Sequence, residues 1–377
     1  MTNSSLCLFW RDRSWTKKFK TGISIHSHTQ HSKERLSFIP KILSNKPGFH
    51  SLFKYIERRH QEVHGAPLDY SRGYWTPPLS AHDAFLVERG QIEEKLGLPG
   101  LVSISDHDSM EANLRLRLVE EDADVPISDE WSVPYGPAVF HVGVHNIPPQ
   151  RASEFHERFE SYRACRRPEL LAEILSDLNS EPEILVILNL PLTDEGRIGS
   201  RIHERHLQEF LGRFGRWIHA LELNTLQPWK DNMRVCEIAK TLDLPVISGG
   251  DRHAVEPNGN LNLTNATTFS EFVREVREDR VSNVLFMPQC RESLKIRYIE
   301  SIYHIVRDYP ECPGRVHLLD RVFYELPNGE TQTVSQATNG GGPAVTRLIL
   351  KLVGVVVSPR LRPALRLAFQ RGEEVTL

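Results

Sequence analysis

Cysteine is sparse and unpaired in this chain: there are five (Cys7, Cys165, Cys236, Cys290, Cys312), odd in number and nowhere spaced C-x-x-C. That argues against a thiolate zinc site and a disulfide framework, and points to a reducing compartment. Charge of one sign is lacking as well. A net charge of −3 leaves no electrostatic footprint for duplex nucleic acid, so no duplex DNA partner is expected. Long apolar runs are missing too. Leu348 to Val357 is well short of a membrane span and contains Lys351, and Leu6 to Trp10 is too short an apolar core for a secretory signal. A soluble, cytoplasmic protein is the expectation. No internal repeat or long low-complexity tract breaks the chain.

At 377 residues and 40% hydrophobic, the chain is long enough for a sizeable core. Apolar, strand-like runs alternate with helical stretches, which is the pattern of an α/β layer or barrel. The runs are Gly22 to Ile25, Leu101 to Ile104, Val139 to Val144, Ile184 to Leu188, Ala220 to Leu223 and Pro245 to Ser248. A helix is predicted from Ser80, with Phe85, Ile92 and Leu96 on its buried face and Gly97 and Pro99 ending it. Residues 35–78 interrupt the rhythm and carry Phe49, Phe53, Tyr55, Tyr70, Tyr74 and Trp75, an insertion placed to fold over a rim or to form its own small apolar cluster. Beyond Asn262, Thr268 to Glu271 is a capping box, and a second helical stretch runs through Leu294, Ile299, Ile302 and Val306. Asn339 to Pro343 then breaks the chain. This C-terminal part has no site-like cluster and is assigned to packing or partner contact.

Four short clusters of histidine and acidic residues follow the strand-like runs. They are His26-Ser27-His28, Ser105-Asp106-His107-Asp108, Asp129-Glu130 followed by His141, and Gly249-Gly250-Asp251-Arg252-His253. Imidazole and carboxylate hold divalent metals, and the ends of parallel strands are where an α/β protein places its site. In His26-x-His28 both imidazoles project to one side of a strand, and Asp251-x-His253 repeats that geometry.

These residues, in this order, resemble the PHP family, named for polymerase and histidinol phosphatase proteins. The family's H-x-H-T followed by S-D-G resembles His26-Ser27-His28-Thr29 followed by Ser32, and its T-D-H-D-T is similar to Ser105-Asp106-His107-Asp108-Ser109. Its glutamate followed by H-x-x-G-x-x-I resembles Glu130 and then His141 to Ile147, and its S-D-x-H resembles Gly250-Asp251-Arg252-His253. The resemblance spans about residues 20–260. It implies an α/β fold, a distorted (β/α)7 barrel over 20–262 with the insertion at about 35–78 and a mainly helical C-terminal extension over 263–377. It further implies that His26, His28, Glu130 and Asp251 hold one ion, with Glu130 bridging to a second contacted by His141. His107 and His253 would serve a further ion or hold phosphate, and Asp106, His107 and His253 are the residues expected to act in catalysis.

Two positions depart from the family. Lys33 stands where an acidic residue is usual, with Glu34 adjacent and His31 nearby, and Asn189 stands where a histidine precedes proline. A protonated lysine cannot ligate and an asparagine is a weaker, neutral ligand. Two divalent ions (Zn, Mn or Fe) are therefore expected more than three. His145 lies on the same side as His141 and is a candidate replacement ligand, and Arg197 and Arg201 are candidate phosphate forks. His203, His206 and His219 read as including solvated helix positions, and Gly249-Gly250 as letting the backbone approach the ions. The implied activity is hydrolysis of a phosphate ester through metal-activated water, on a small phosphorylated substrate or a nucleotide. The alternatives are a barrel that binds metal or phosphate ligand without turnover, and an amidohydrolase-like hydrolase. Oligomeric state is not readable.

Overall fold

The computed structural model describes residues 2–36, 67–120, 124–256, 258–326 and 328–337, with scattered positions between 54 and 65 and between 348 and 369. Phe49, Phe53, Tyr55 and the glycine-rich stretch 339–343 lie outside the described residues.

The strands are β1 (Asn3–Leu8), β2 (Thr21–Ile25), β3 (Glu34–Arg35), β4 (Gly73–Trp75), β5 (Gly100–Ser103), β6 (Asp129–Tyr135) and β7 (Ala138–His145). There follow β8 (Leu185–Asn189), β9 (Ala220–Asn224), β10 (Val246–Gly249), β11 (Asn260–Thr264), β12 (Val281–Phe286), β13 (Val322–Glu325) and β14 (Thr331–Thr333). Among the described residues these form two five-stranded sheets, ordered β1-β12-β11-β2-β5 and β10-β9-β8-β7-β6, and a four-stranded sheet β14-β13-β4-β3. Both edge strands of the second sheet adjoin the first, β10 at β2 and β6 at the segment after β5. Gly250 N donates to Ile25 O (3.1 Å) and His28 N to Arg252 O (2.8 Å), while Glu130 N donates to Asp106 O (3.0 Å). The chain segments at those two seams are the ones that carry the histidine and acidic clusters.

The six predicted runs each lie on a strand, to within a residue or two. The pairing is mixed rather than uniformly parallel: β6 with β7, β7 with β8, and β11 with both β2 and β12 are antiparallel. The part beyond residue 262 is less helical than expected. β12 pairs with both β1 and β11 inside the first sheet; its Ser282 and Asn283 interrupt the apolar run that would have marked it as a strand.

Burial on both faces explains the near-continuous apolar strands. Along β8, Leu185 and Ile187 face Ile23, Ile25, Ala220, Ile247, Phe269 and Phe272, while Val186 and Leu188 face the outer helices. The largest core cluster sits outside β6–β8, where Trp131 stacks on Phe159 at 4.5 Å between ring centroids. The helix Ala81–Leu96 is capped by Ser80, whose hydroxyl accepts from Asp83 N, and ends at Gly97 in the left-handed region (φ 67°). The helix Phe269–Arg277 has the full capping box between Thr268 and Glu271, and its Phe269 and Phe272 plug the inner cluster. No helix among the described residues is long and apolar enough to cross a membrane.

Candidate metal centre

The seams bring all seven expected ligands together. His26 follows β2 and Asp251 follows β10, and both residues take a left-handed backbone (φ 67° and 48°). Such conformations cost about 1–3 kcal/mol each and persist where the surrounding structure holds them. His26 is thus not extended as its spacing suggested, yet its ring reaches His28's at 5.1 Å between centroids. Glu130 begins β6 rather than ending a strand.

Glu130 is the hub. Its Oε1 lies 3.0 Å from His26 Nε2 and 3.8 Å from His141 Nδ1, and its Oε2 lies 3.4 Å from His28 Nε2 and 3.2 Å from His107 Nδ1. Asp251 Oδ1 stands 3.3 Å from His28 Nε2 and 3.6 Å from His26 Nε2. Four sets of three donors converge within 4.8 Å: His26, His28 and Glu130; His28, Asp251 and His253; His28, Glu34 and His107; His107, Glu130 and His141. Glu34, not Lys33, supplies the acidic group at the first loop. Its carboxylate lies 3.4 Å from His107 Nε2 and 3.2 Å from His253 Nε2, whereas the Lys33 ammonium lies 5.4 Å from the centre of the Tyr74 ring.

The donors fit divalent metal. His26 Nε2, His28 Nε2, His107 Nδ1, His141 Nδ1 and Glu130 Oε2 are buried without a hydrogen-bond partner among the described residues, a costly arrangement for protein alone. Burial works against a charged His253 and a charged His141, but Glu34 and Glu195 respectively hold these imidazoles up to about 10. Burial, with the neighbouring His253, pushes His28 down to about 4. Glu130 stays well below the usual carboxylate range despite its burial, because His26 and His107 flank it.

Other expected residues take different places. Both oxygens of Asp106 face Thr29, accepting from its N (2.5 Å) and Oγ1 (2.7 Å). Its carboxylate therefore braces the first loop and is turned from the donors. Asn189 Nδ2 donates to Glu130 Oε1 (2.9 Å), so it orients the hub. His145 is buried, its Nδ1 2.8 Å from Ser103 Oγ, and it joins none of the donor sets. His31 joins none either, and Arg197 and Arg201, the candidate phosphate forks, are exposed. His203 is buried rather than solvated, its Nε2 3.0 Å from Pro191 O. Gly249 and Gly250 make room for side chains, not for ions: a Cβ at either would overlap the Glu222 carboxylate or the Asn258 carboxamide respectively.

Two acidic residues escaped sequence reasoning. Glu222 lies 2.6 Å from His26 Nδ1 and Glu195 2.5 Å from His141 Nε2. Neither sits in a recognisable motif; Glu222 arrives on β9 and Glu195 on the turn after β8. Trp75 of the insertion packs against His253 (5.6 Å between centroids). A cavity beside Asp251 is lined by Thr225, Asn258, Arg297 and Ser301, so the C-terminal part walls the site.

No family model and no curated protein matches this chain. Solved structures do. PsfC from Pseudomonas syringae PB-5123 is 13% identical, with a TM-score of 0.39, over 59% of this chain and 89% of that one. A protein described as a metal-dependent phosphoesterase, from Bifidobacterium adolescentis, is 17% identical (TM-score 0.37) over 68% and 95%. An amidohydrolase from Chromobacterium violaceum, solved with sulfate and no metal, is 16% identical (TM-score 0.31) over 62% and 87%.

Proposed function

We propose that this chain is a metal-dependent hydrolase of phosphate esters, built on a distorted ring of seven strands, β2-β5-β6-β7-β8-β9-β10. The backbone hydrogen bonds at the two seams support the ring. One observation carries the function: Glu130 is shared by two donor sets, one with His26 and His28 and one with His107 and His141. A carboxylate placed so would serve two ions.

Divalent metal held there would supply positive charge to a phosphoryl group and activate water for hydrolysis. The protein's own residues do the rest. His26, His28, Glu130 and Asp251 would hold one ion, and Glu130, His107 and His141 the other. Two further donor sets lie on the same rim, His28 with Glu34 and His107, and His28 with Asp251 and His253. Asn189 keeps Glu130 turned toward both neighbours, Asp106 keeps the His26–Thr29 turn in place, and Trp75 packs against the His253 ring. A small phosphorylated substrate or a nucleotide fits this account, with the group beyond the phosphate lying against the Leu294–Val306 helix.

The test is to load the protein with zinc, manganese or iron and to screen phosphomonoesters, phosphodiesters and amides. Chelator-sensitive hydrolysis of a phosphoester, lost in Asp251→Asn, is the expected result. Full metal occupancy without phosphoester hydrolysis would refute the proposal, and turnover of amides alone would move the chain to amidohydrolase chemistry.

A further inference from the structure

We infer that Glu222 sets the tautomer and orientation of His26 for metal binding, and that Gly249 on the neighbouring strand is the space that lets it do so. The inference deepens the proposed metal centre and rests on it.

Glu222 is the middle residue of β9 and is 2% exposed. Its two oxygens have separate tasks. Oε1 meets His26 Nδ1 at 2.6 Å, and Oε2 accepts from Leu190 N at 2.7 Å. An ionised carboxylate only accepts, so the first contact keeps a proton on His26 Nδ1. The lone pair of His26 is then on Nε2, which points to Glu130 Oε1 (3.0 Å) and Asp251 Oδ1 (3.6 Å). An outer carboxylate of this kind fixes the ring of a metal-ligating histidine and raises its basicity. His28 has no equal: its Nδ1 is 3.3 Å from the Ser32 hydroxyl and 3.9 Å from Glu34.

Gly249 completes the device. It pairs with Asn224 across β9 and β10, and a Cβ there would overlap Oε1, Cδ and Cγ of Glu222. Its backbone is not in the left-handed region, so glycine is needed for space and not for conformation. Any side chain at this position must move the carboxylate off His26.

Two substitutions thus reach one contact from two strands. Glu222→Gln has one acceptor oxygen for two N–H donors. If it keeps Leu190, its amide NH2 faces His26 Nδ1 and drives the proton to Nε2, where the ion belongs. Gly249→Ala displaces the carboxylate without touching its charge. Loss of an outer partner of a metal-ligating histidine typically costs about 10- to 100-fold in affinity, and that is the fall expected in both variants.

The full-length protein would be titrated with zinc alone against a competing chelator, as wild type, Glu222→Gln and Gly249→Ala, with folding checked by circular dichroism. In parallel, nitrogen NMR of histidine-labelled, zinc-loaded wild type would read the His26 tautomer, which a merely structural glutamate would not dictate. The expected results are weaker zinc binding in both variants and, in wild type, a protonated Nδ1 with zinc on Nε2. Folded variants that match wild type overturn the inference alone, as does zinc bound through His26 Nδ1. Wild-type protein that takes up no zinc overturns the proposed centre and this inference with it. Should both variants fail to fold, the wild-type tautomer decides.

Discussion

Arg252 stands between two expected ligands, Asp251 and His253, but turns into the core. It is 1% exposed, and its Nε is ion-paired with Glu88, itself 0% exposed. The other Glu88 oxygen accepts from Ser24 Oγ (2.7 Å) and Asn258 Nδ2 (2.5 Å), and Arg252 also donates to Ala84 O (3.2 Å). Arg252→Ala would leave the first Glu88 oxygen buried with no cation near it. Removing one partner of a buried ion pair costs about 3–5 kcal/mol, because the remaining charge is uncompensated. Against a total stability of about 5–15 kcal/mol, that is a large share. Removing both charges, as in Arg252→Met with Glu88→Leu, should cost much less than the two single losses added together. Urea denaturation of the metal-free protein, followed by circular dichroism, measures all of this. A loss below about 1 kcal/mol in Arg252→Ala would refute the reasoning.

Further predictions concern the acidic group at the first loop and the acid limit of stability. Glu34→Gln should lower metal stoichiometry or affinity, while Lys33→Ala leaves both unchanged, since the lysine head lies over Tyr74; equal metal titrations for the two variants would count against Glu34. His219 is held down to about 3, by burial first and Arg277 second, while an unfolded histidine titrates near ~6.5. Its Nδ1 accepts from Val186 N (2.9 Å) and its Nε2 pairs with Asn179 Oδ1 (3.0 Å), so protonation at Nδ1 sets a donor against a donor. The folded-state pKa is depressed, so the contribution is fully present above about pH 6.5 and is lost as pH falls toward 3. Wild type should therefore lose more stability than His219→Gln between pH 7 and pH 4, and parallel denaturation profiles would contradict this.

What the sequence disclosed of the site was its local part. His26 and His28, Asp251 and His253, and Glu130 are read by short spacing at strand ends, and the structure brings those residues together. Local spacing says nothing of partners from other strands. Glu222 is 196 positions from His26 and Glu195 is 54 positions from His141, so only the folded chain, through β9 and the turn after β8, reveals them. Asp106 shows the reverse: it stands inside a motif, yet its carboxylate serves Thr29. In the fold, the strands with continuous apolar runs were legible because both faces are buried. β12 was not, because its Ser282 and Asn283 interrupt the apolar run; their side chains find partners on β11, at Asn262 Oδ1 (3.5 Å) and Leu263 O (3.4 Å).

Turnover by the metal-loaded protein is the decisive measurement. Wild type freed of metal should show no phosphoesterase activity, regain it on addition of zinc, manganese or iron, and lose it when His26 and His28 are both replaced by alanine with the fold intact. The pair should also lose at least one bound ion per chain. Unchanged metal stoichiometry in the double variant, or metal-loaded wild type that hydrolyses no phosphoester, would contradict it.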